Sequence, residues 1–415
     1  MPLEQTTPQI SAYKAAYNKH RRRPLDPSFI EDLNDLIDFS NGSKDIRIHD
    51  LHPTNRYEDR GNEDTYANAN ANASANANAH SEFSYKGPRF SLVSHPGFVY
   101  IPQALGKIIQ NDLAYQSLTE FLNAEHKHAT NIDLVPIKKG EIENGDMQMW
   151  DLWKTGSSDK SNDNDNGKQS TKQIPKKLRM EHTNTAAAAQ SNENCTYYKT
   201  FDKLSWSTTG YHYDWTARSY TEQKKSPMPK QLLRLGSIFA HLDQSTTCME
   251  AHDHDHNNDF NASASIINYY SLKSNMGGHR DDLELDFTKP VVSLSLGLPA
   301  VFLLGGKTKD DEVVPILVRP GDVMLLAGES RLCYHGMARV IPADVPLPKV
   351  EPNIDCIQSW KSICNDDIYF EDGGGLSMPE NELGHLESFL SSHRININVR
   401  QVLPHGMIEI PNNDS

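Results

Sequence analysis

Apolar and polar residues alternate over short distances in the last third of the chain. From residue 265, runs of β-branched and aromatic residues are separated by turn residues, such as those at 305–306 and 320–321. Many short strands at this spacing predict a sandwich or jelly roll rather than a parallel α/β sheet. The predicted strands are 265–270, 290–297, 300–304, 313–318, 322–326, 332–340 and 394–403.

Earlier in the chain, apolar residues recur at helical spacing. They do so within 29–39, and 110–122 predicts a second helix that directs Phe121 into a core. We therefore expect a mostly β protein with flanking helices, preceded by an N-terminal helical extension over 1–60.

Three polar stretches interrupt these patterns. The Ala/Asn-rich 61–82 and the Ser/Asn/Asp/Lys-rich 155–195 lack the residues that build a core, which predicts disorder. The polar, proline-containing 342–393 is predicted to be a surface insertion with one short helix near 382–390. The expected organisation is an extension (1–60), a linker (61–82), one domain (83–403) with insertions at 155–195 and 342–393, and a tail (404–415).

Composition and charge change this picture only slightly. Hydrophobic residues make up 37% of the chain, which fits a normal core diluted by polar insertions. The formal net charge of −14 is unexpected for a nucleic-acid ligand, because Lys and Arg make phosphate contacts. However, nine acidic residues against one lysine, a net of −8, lie within 351–387, one of the predicted insertions. The total charge therefore does not exclude a nucleic-acid ligand.

The cysteines and the absence of long apolar runs restrict the compartment. The five cysteines are scattered without a CxxC pair, which predicts a reduced intracellular protein. No apolar run reaches the roughly 18 residues of a membrane span, so we expect no membrane contact. We expect a monomer in the nucleus or cytoplasm, while the basic cluster within 14–23 leaves a mitochondrial transit peptide open.

Two histidines and an aspartate form a candidate metal site. His279 and Asp281 are two residues apart, so on an extended strand both side chains point to the same face. The pair alone could equally lie in an exposed turn after Gly277, but His335 supplies a third ligand. Two histidines and one carboxylate are the ligand set of non-haem iron(II) oxygenases. We expect their ligating atoms to lie within roughly 3–4 Å of one another, each about 2 Å from a shared ion. A second tract, 252–256, alternates His and Asp and is either a metal site or a solvated loop.

The predicted last strand carries a candidate anion site. Arg394, Asn396, Asn398 and Arg400 alternate with β-branched residues, so all four polar side chains share one face. Two guanidinium groups inside a barrel would require an anion such as 2-oxoglutarate. On an edge strand, by contrast, the same arginines would simply face solvent. Asn268 and Tyr270, on the strand that precedes the metal pair, are placed either to donate hydrogen bonds to this anion or to pack at the edge of the core.

The order and spacing of several motifs resemble the AlkB dioxygenases. The shared segments are 268–270, 279–281, 292–297, 302–306, 320–323, 328–331 and 394–400. Within that family the chain is most similar to the eukaryotic branch of AlkB homologue one, through 210–215, 284–286 and 399–403.

This resemblance implies a double-stranded β-helix (jelly roll) core with a nucleotide-recognition lid. It implies that His279, Asp281 and His335 hold Fe(II) and that Arg394 pairs with the distal carboxylate of 2-oxoglutarate. Tyr270 and Asn396 would support that end of the co-substrate, while Arg400 and Asn268 would lie near its keto-acid end. Trp206 and Tyr211 resemble the aromatic lid that stacks a flipped base, although both residues could also be core aromatics.

Two residues depart from the family pattern. Leu283 replaces an acidic residue of the bacterial enzyme, which puts bacterial-type base recognition in doubt. Asn398 stands where Thr or Ser is usual.

The resemblance implies an Fe(II)- and 2-oxoglutarate-dependent dioxygenase that uses dioxygen to demethylate alkylated bases in nucleic acid, either tRNA or DNA. The alternatives are a dioxygenase that acts on protein, such as histone, and a catalytically inactive binding protein. The intact metal triad and the paired arginines favour an enzyme.

Overall fold

The computed structural model describes residues 10–21, 33, 35–41, 47–51, 85–122, 129–131, 150, 203–214, 216–242, 260–364 and 378–410. The predicted disordered segments 61–82 and 155–195 and the histidine tract 252–256 lie outside these residues.

Within the described residues the chain forms four α-helices and twelve strands. The helices are α1 (Ala12–His20), α2 (Lys107–Leu118), α3 (Lys230–Ala240) and α4 (Leu383–Leu390). The strands are β1 (Ile48–Asp50), β2 (Phe90–Leu92), β3 (His95–Ile101), β4 (Trp206–Gly210), β5 (Ala264–Ser271), β6 (Met276–His279), β7 (Val291–Gly297), β8 (Ala300–Leu304), β9 (Val314–Val318), β10 (Val323–Leu326), β11 (His335–Val340) and β12 (His393–Arg400). Short 3-10 turns lie at Phe39–Asn41, Gly328–Leu332, Trp360–Ser362 and Glu380–Glu382.

The strands form two antiparallel sheets. The larger has the order β1-β2-β3-β10-β7-β12-β5-β4, and the smaller has the order β6-β11-β8-β9. A shared core of residues such as Tyr100 and Met324 from the larger sheet and Ile316 and Val318 from the smaller joins the two inner faces. This arrangement confirms the predicted jelly-roll core.

The outer face of the larger sheet is covered by α2, α3 and α4. Because side chains on a strand point alternately to opposite faces, Ile395, Ile397 and Val399 of β12 pack under these helices, while the polar residues of β12 face the other sheet. β12 lies between β5 and β7, so the edge-strand interpretation of its arginines is wrong.

Helix α1 packs on the outer face of the smaller sheet. The Oγ of Ser11 caps its first turn by accepting a hydrogen bond from the Lys14 amide. Tyr13 and Tyr17 join a core cluster with Val301 and Leu303 of β8. The N-terminal extension is thus part of the same packed unit where the structure describes it.

The segment predicted as a surface insertion, 342–393, contributes to the main core. Ile357, Trp360 and Phe389 are buried there, and the indole Nε1 of Trp360 donates to Asp112 of α2 at 2.9 Å. The surface interpretation is wrong for these three residues, because their large apolar side chains are buried in the main core, whereas Ile354 of the same segment is exposed. The predicted short helix is confirmed as α4.

The helix predicted within 29–39 is not formed at the described residues 35–38, where Ile37 instead pairs with Ile316 in a β-bridge. The boundaries of other elements differ by a few residues from those predicted. The seven predicted strands are present, but β12 ends at Arg400 rather than at residue 403. The predicted helix 110–122 is α2, which begins at Lys107 and ends at Leu118, although Phe121 is buried as expected. No helix among the described residues is both long and apolar enough to cross a membrane.

Candidate metal centre and active-site cavity

A cavity of about 500 Å³ lies between the two sheets. Its wall includes the inward side chains of β5, β12 and β7 from the larger sheet and those of β6, β8 and β11 from the smaller. Eight of the ten residues proposed from the sequence for metal, co-substrate or lid roles line this cavity, and the two that do not are Trp206 and Tyr211. Apolar side chains such as Ile266, Val291 and Phe302 form the rest of its wall.

His279, Asp281 and His335 converge at one end of this cavity. Their ligating atoms all lie within 4.8 Å of one another. The Nε2 atom of His335 is 3.7 Å from Asp281 Oδ2, and that of His279 is 4.0 Å from Asp281 Oδ1. These two distances lie within the roughly 3–4 Å expected from the sequence. The limit that includes all the ligating atoms, 4.8 Å, is slightly larger.

Both imidazole rings are oriented by backbone carbonyl groups. Nδ1 of His279 lies 3.0 Å from the carbonyl oxygen of Gly277, and Nδ1 of His335 lies 3.0 Å from that of Cys333. A neutral ring that donates its Nδ1 hydrogen to a carbonyl presents a lone pair on Nε2, as metal-binding histidines commonly do. The donor set and its orientation therefore fit a divalent metal ion.

A β-bulge aims His279 into the cavity. His279 pairs with His335 and Met276 pairs with Met337, so three steps along β6 match two along β11. In a regular strand, Met276 and His279 would point to opposite faces, but one additional residue restores the same face. The pair Gly277 and Gly278, which the sequence suggested as a turn, forms this bulge. Asp281 follows after β6 has ended.

A buried charge network holds Asp281. The Arg400 guanidinium contacts Asp281 Oδ2 at 2.9 Å and Glu284 Oε1 at 2.8 Å. Arg331 contacts Glu284 Oε2 at 3.1 Å and donates to the backbone carbonyl of Asp281 at 2.6 Å. Glu284 and Arg331 were noted in the sequence only as motif members, because nothing in their spacing shows that they meet.

This network sets the protonation of the site. Burial acts to raise the pKa of the Asp281 carboxyl, but the surrounding charges, of which Arg400 contributes most, together outweigh burial and hold that pKa well below its usual range. Burial and the neighbouring His279 lower the pKa of His335 to about 4. At neutral pH the aspartate is ionised and His335 is neutral, which are the forms that bind a metal.

Arg394 is buried in the cavity wall without an acidic partner. Its guanidinium donates to the Leu298 carbonyl at 3.2 Å and to Ser295 Oγ at 3.0 Å, while Nε has no hydrogen-bond partner. No carboxylate among the described residues forms a salt bridge with it, and burial lowers its pKa. A buried cation that lacks both a negatively charged partner and an acceptor for its Nε fits the carboxylate of a dicarboxylic acid.

The other proposed co-substrate residues line the same wall. Asn268 and Tyr270 of β5 lie directly opposite Asn396 and Arg394 in the strand register, so their side chains share the inward face. Asn396 donates to Ser293 Oγ at 2.8 Å, and Asn398 donates to Asn396 Oδ1 at 3.0 Å. The side-chain amide of Asn398 thus orients that of Asn396.

The two proposed lid aromatics do not line the cavity. Tyr211 is buried in a core cluster that also contains Tyr213 and Tyr220, and its hydroxyl group donates to Glu222. Trp206 lies opposite Asn268 on the outermost strand of the larger sheet. Tyr213 and Tyr220 line the cavity instead, with ring centroids 5.4 Å apart. The sequence could not distinguish Tyr211 from Tyr213, because the segment that carries them is not a regular strand.

Comparisons with known proteins agree with this geometry. A family model described as the 2OG-Fe(II) oxygenase superfamily matches residues 164–400. The DNA N(6)-methyladenine demethylase ALKBH1A of Arabidopsis thaliana is 30% identical over 317 residues, which cover 76% of this chain and 78% of that protein. The nucleic acid dioxygenase ALKBH1 of Homo sapiens is 29% identical over 328 residues, covering 77% of this chain and 67% of that protein. The tRNA demethylase abh1 of Schizosaccharomyces pombe is 30% identical over 203 residues, covering 49% and 54%.

Proposed function

This chain belongs to the AlkB family of 2OG-Fe(II) oxygenases, and we propose that it oxidatively demethylates bases in nucleic acid with iron held by His279, Asp281 and His335. The cofactors of that family are Fe(II) and 2-oxoglutarate.

One observation supports the proposal above all others. A two-histidine, one-carboxylate set and the unpaired, buried guanidinium of Arg394 face the same cavity. Each is costly in a protein interior unless it meets its ligand, and the ligands they fit are a divalent metal and a dicarboxylate.

The bound cofactors would supply, with dioxygen, the oxidation of an N-methyl carbon that is then lost as formaldehyde. The side chains of the chain position the reactants. Arg394 would bind the distal carboxylate of 2-oxoglutarate, with Tyr270 and Asn396 beside it. Arg400 would hold Asp281 in its ionised, metal-binding orientation, with Asn268 on the same face of β5 as Tyr270.

Aromatic residues in the cavity wall support a base as the substrate. Tyr213, Tyr220 and Arg218 all line the cavity. Aromatic stacking of an extruded base is a common way for enzymes to reach an atom within nucleic acid. The relatives are named for DNA and for tRNA, and we propose nucleic acid of one of these kinds as the substrate. We further propose that the chain acts as a monomer inside the cell, in the nucleus, cytoplasm or mitochondrion.

The direct test is turnover on a substrate panel. Full-length protein with Fe(II), 2-oxoglutarate and dioxygen is incubated with N-methylated tRNA, methylated single-stranded DNA and methylated histone peptides. Formaldehyde and succinate are measured in parallel, with the His279→Ala variant as the metal-site control. We expect formaldehyde from at least one nucleic acid and none from the variant. Release from the peptides alone would overturn the proposal.

A further inference from the structure

Tyr13 of α1 fills a recess that three glycines leave in the smaller sheet. A Cβ atom built on Gly336 would lie 2.8 Å from the Tyr13 hydroxyl oxygen, and one on Gly305 would lie 3.0 Å from its ring. On Gly278 it would overlap the ring more severely still. Any side chain at these positions would displace the tyrosine, whose own exposed fraction is 4%.

Two of these glycines adjoin the candidate metal ligands. Gly278 precedes His279 and is part of the bulge in β6, while Gly336 follows His335 and is the residue that the bulge faces. The Tyr13 ring therefore lies on the outer side of the sheet, directly behind the bulge that turns His279 inward.

Strand β6 has little else to fix it. It is four residues long and pairs with β11 alone among the described strands. Its two glycines have more backbone freedom than any other residue pair, and its inner face borders the open cavity. An unsupported bulge of this kind would sample conformations in which His279 leaves the metal site.

Helix α1 is anchored at both ends of this strand. The Tyr17 hydroxyl donates to Asn275, the residue before β6, while Tyr13 contacts Gly278 near its end. The Tyr13 amide also donates to the Lys309 carbonyl at 2.9 Å, which fixes the start of the helix against the loop after β8.

We propose that Tyr13 is a positioning residue for the metal centre, which clamps the Gly277–Gly278 bulge so that His279 stays aimed at the shared ion. The inference rests on the proposed function through the metal role of His279. It assigns a part in the site to an N-terminal helix that lies more than 250 residues away in sequence.

The test uses metal affinity of the full-length, metal-free protein, measured by calorimetric titration with Mn(II). If removal of the ring leaves the bulge correctly formed about a tenth of the time, Tyr13→Ala weakens Mn(II) binding about tenfold. Tyr13→Phe keeps the ring and loses only a long hydrogen bond of 3.5 Å to the Leu303 carbonyl, so affinity should stay within about twofold. Amide hydrogen exchange across 276–281 should be faster in Tyr13→Ala alone.

Adjacent glycines provide a matched pair of variants. Gly278→Ala drives a methyl group into the Tyr13 ring and should weaken Mn(II) binding, whereas Gly277→Ala meets nothing within 4 Å and should not. Because Tyr13→Ala and Gly278→Ala disturb the same contact, the double variant should bind Mn(II) at least as tightly as the single variant with the lower affinity. Gly278→Ala leaves every residue of α1 unchanged, so it decides the question if Tyr13→Ala does not fold.

The outcomes separate this inference from the proposed function. Wild-type protein that binds Mn(II) no better than His279→Ala would overturn the proposed metal site. Wild-type binding that is lost in His279→Ala but unchanged in Tyr13→Ala and Gly278→Ala would overturn only the clamp. A lower unfolding temperature of Tyr13→Ala with unchanged Mn(II) affinity would make Tyr13 a packing residue and would also overturn it.

Discussion

Replacement of Arg394 by alanine should separate co-substrate binding from metal binding. The side chain is buried in the cavity wall on the central strand β12, and its hydrogen bonds go to Leu298 and Ser295 rather than to the three proposed metal ligands. Mn(II) affinity should therefore remain at the wild-type level, while affinity for 2-oxoglutarate should fall sharply.

The magnitude follows from the hydrogen bonds that a carboxylate would gain. The unpartnered Nε and a terminal nitrogen of Arg394 could form a two-bond fork with one carboxylate. Hydrogen bonds to charged groups contribute about 1.5–3 kcal/mol each, so two at the lower end give about 3 kcal/mol. Since every 1.4 kcal/mol is about tenfold, affinity should fall on the order of a hundredfold. Arg394→Lys should recover only part of this, because a point charge cannot reproduce the planar fork.

The stability of the metal-free protein provides an independent test of the role of Arg394. The buried, unpaired charge of Arg394 is a cost in the absence of an anion, so Arg394→Ala should not lower the unfolding temperature. Arg319→Ala is the matched control, because Arg319 is also buried but is paired with Asp38 away from the cavity. It should lower stability and leave 2-oxoglutarate affinity unchanged.

Calorimetric titration of 2-oxoglutarate into Mn(II)-loaded protein measures the effect without turnover. Equal affinity in wild type and Arg394→Ala would refute the role given to this arginine. A parallel loss of Mn(II) affinity would show instead that the substitution disturbs the whole site.

Three further predictions concern other parts of the site. Glu284→Gln should lower the free energy of unfolding, measured in urea, by roughly 3 kcal/mol, because it leaves the buried guanidinium of Arg331 without its charged partner. Glu222→Gln, which removes a partly exposed ion pair, is the control, and an equal loss in both variants would contradict this prediction. Tyr213→Ala should weaken binding of a methylated single-stranded oligonucleotide about tenfold, as expected for the loss of one stacked base. Tyr211→Phe should leave this affinity unchanged, and both are measured by fluorescence anisotropy. Equal losses in the two variants would oppose the role of Tyr213 in stacking a base. Because burial lowers the pKa of His335 from 6.5 to about 4, the unfolded chain binds a proton that the folded, metal-free chain does not within this window, so stability should rise with pH across it. An equally steep rise in His335→Gln, measured by urea unfolding, would assign the effect to other groups.

The sequence predicts those features that depend on the alternation of side chains along a single strand. The alternation along β12 gave the two faces of Arg394 and Ile395 correctly, because the side-chain period of a strand is fixed by its backbone. Its position between β5 and β7 could not be read from the same residues, since an edge strand has an identical pattern.

Features that depend on distant contacts were out of reach of the sequence. The HxD spacing predicted convergence of His279 and Asp281 on a regular strand, whereas the structure achieves it through a bulge and a segment beyond the strand. The recess behind that bulge becomes visible only when Tyr13 is placed against Gly278. The same limit applies to Trp360, whose burial under a polar segment depends on Asp112.

The position of β12 has a consequence for how the protein is made. Among the described strands it is the last in chain order, yet it joins β5 to β7 in the middle of the larger sheet through continuous pairing on both sides. A nascent chain can form β7 with β10 and β4 with β5, but these two blocks remain unconnected until residue 400 has left the ribosome. The strand that completes the sheet also brings Arg394 and Arg400, so a truncated translation product would lack both the fold and the anion site. Synthesis as far as residue 400 thus acts as a checkpoint, because no shorter product can form the central strand of this sheet.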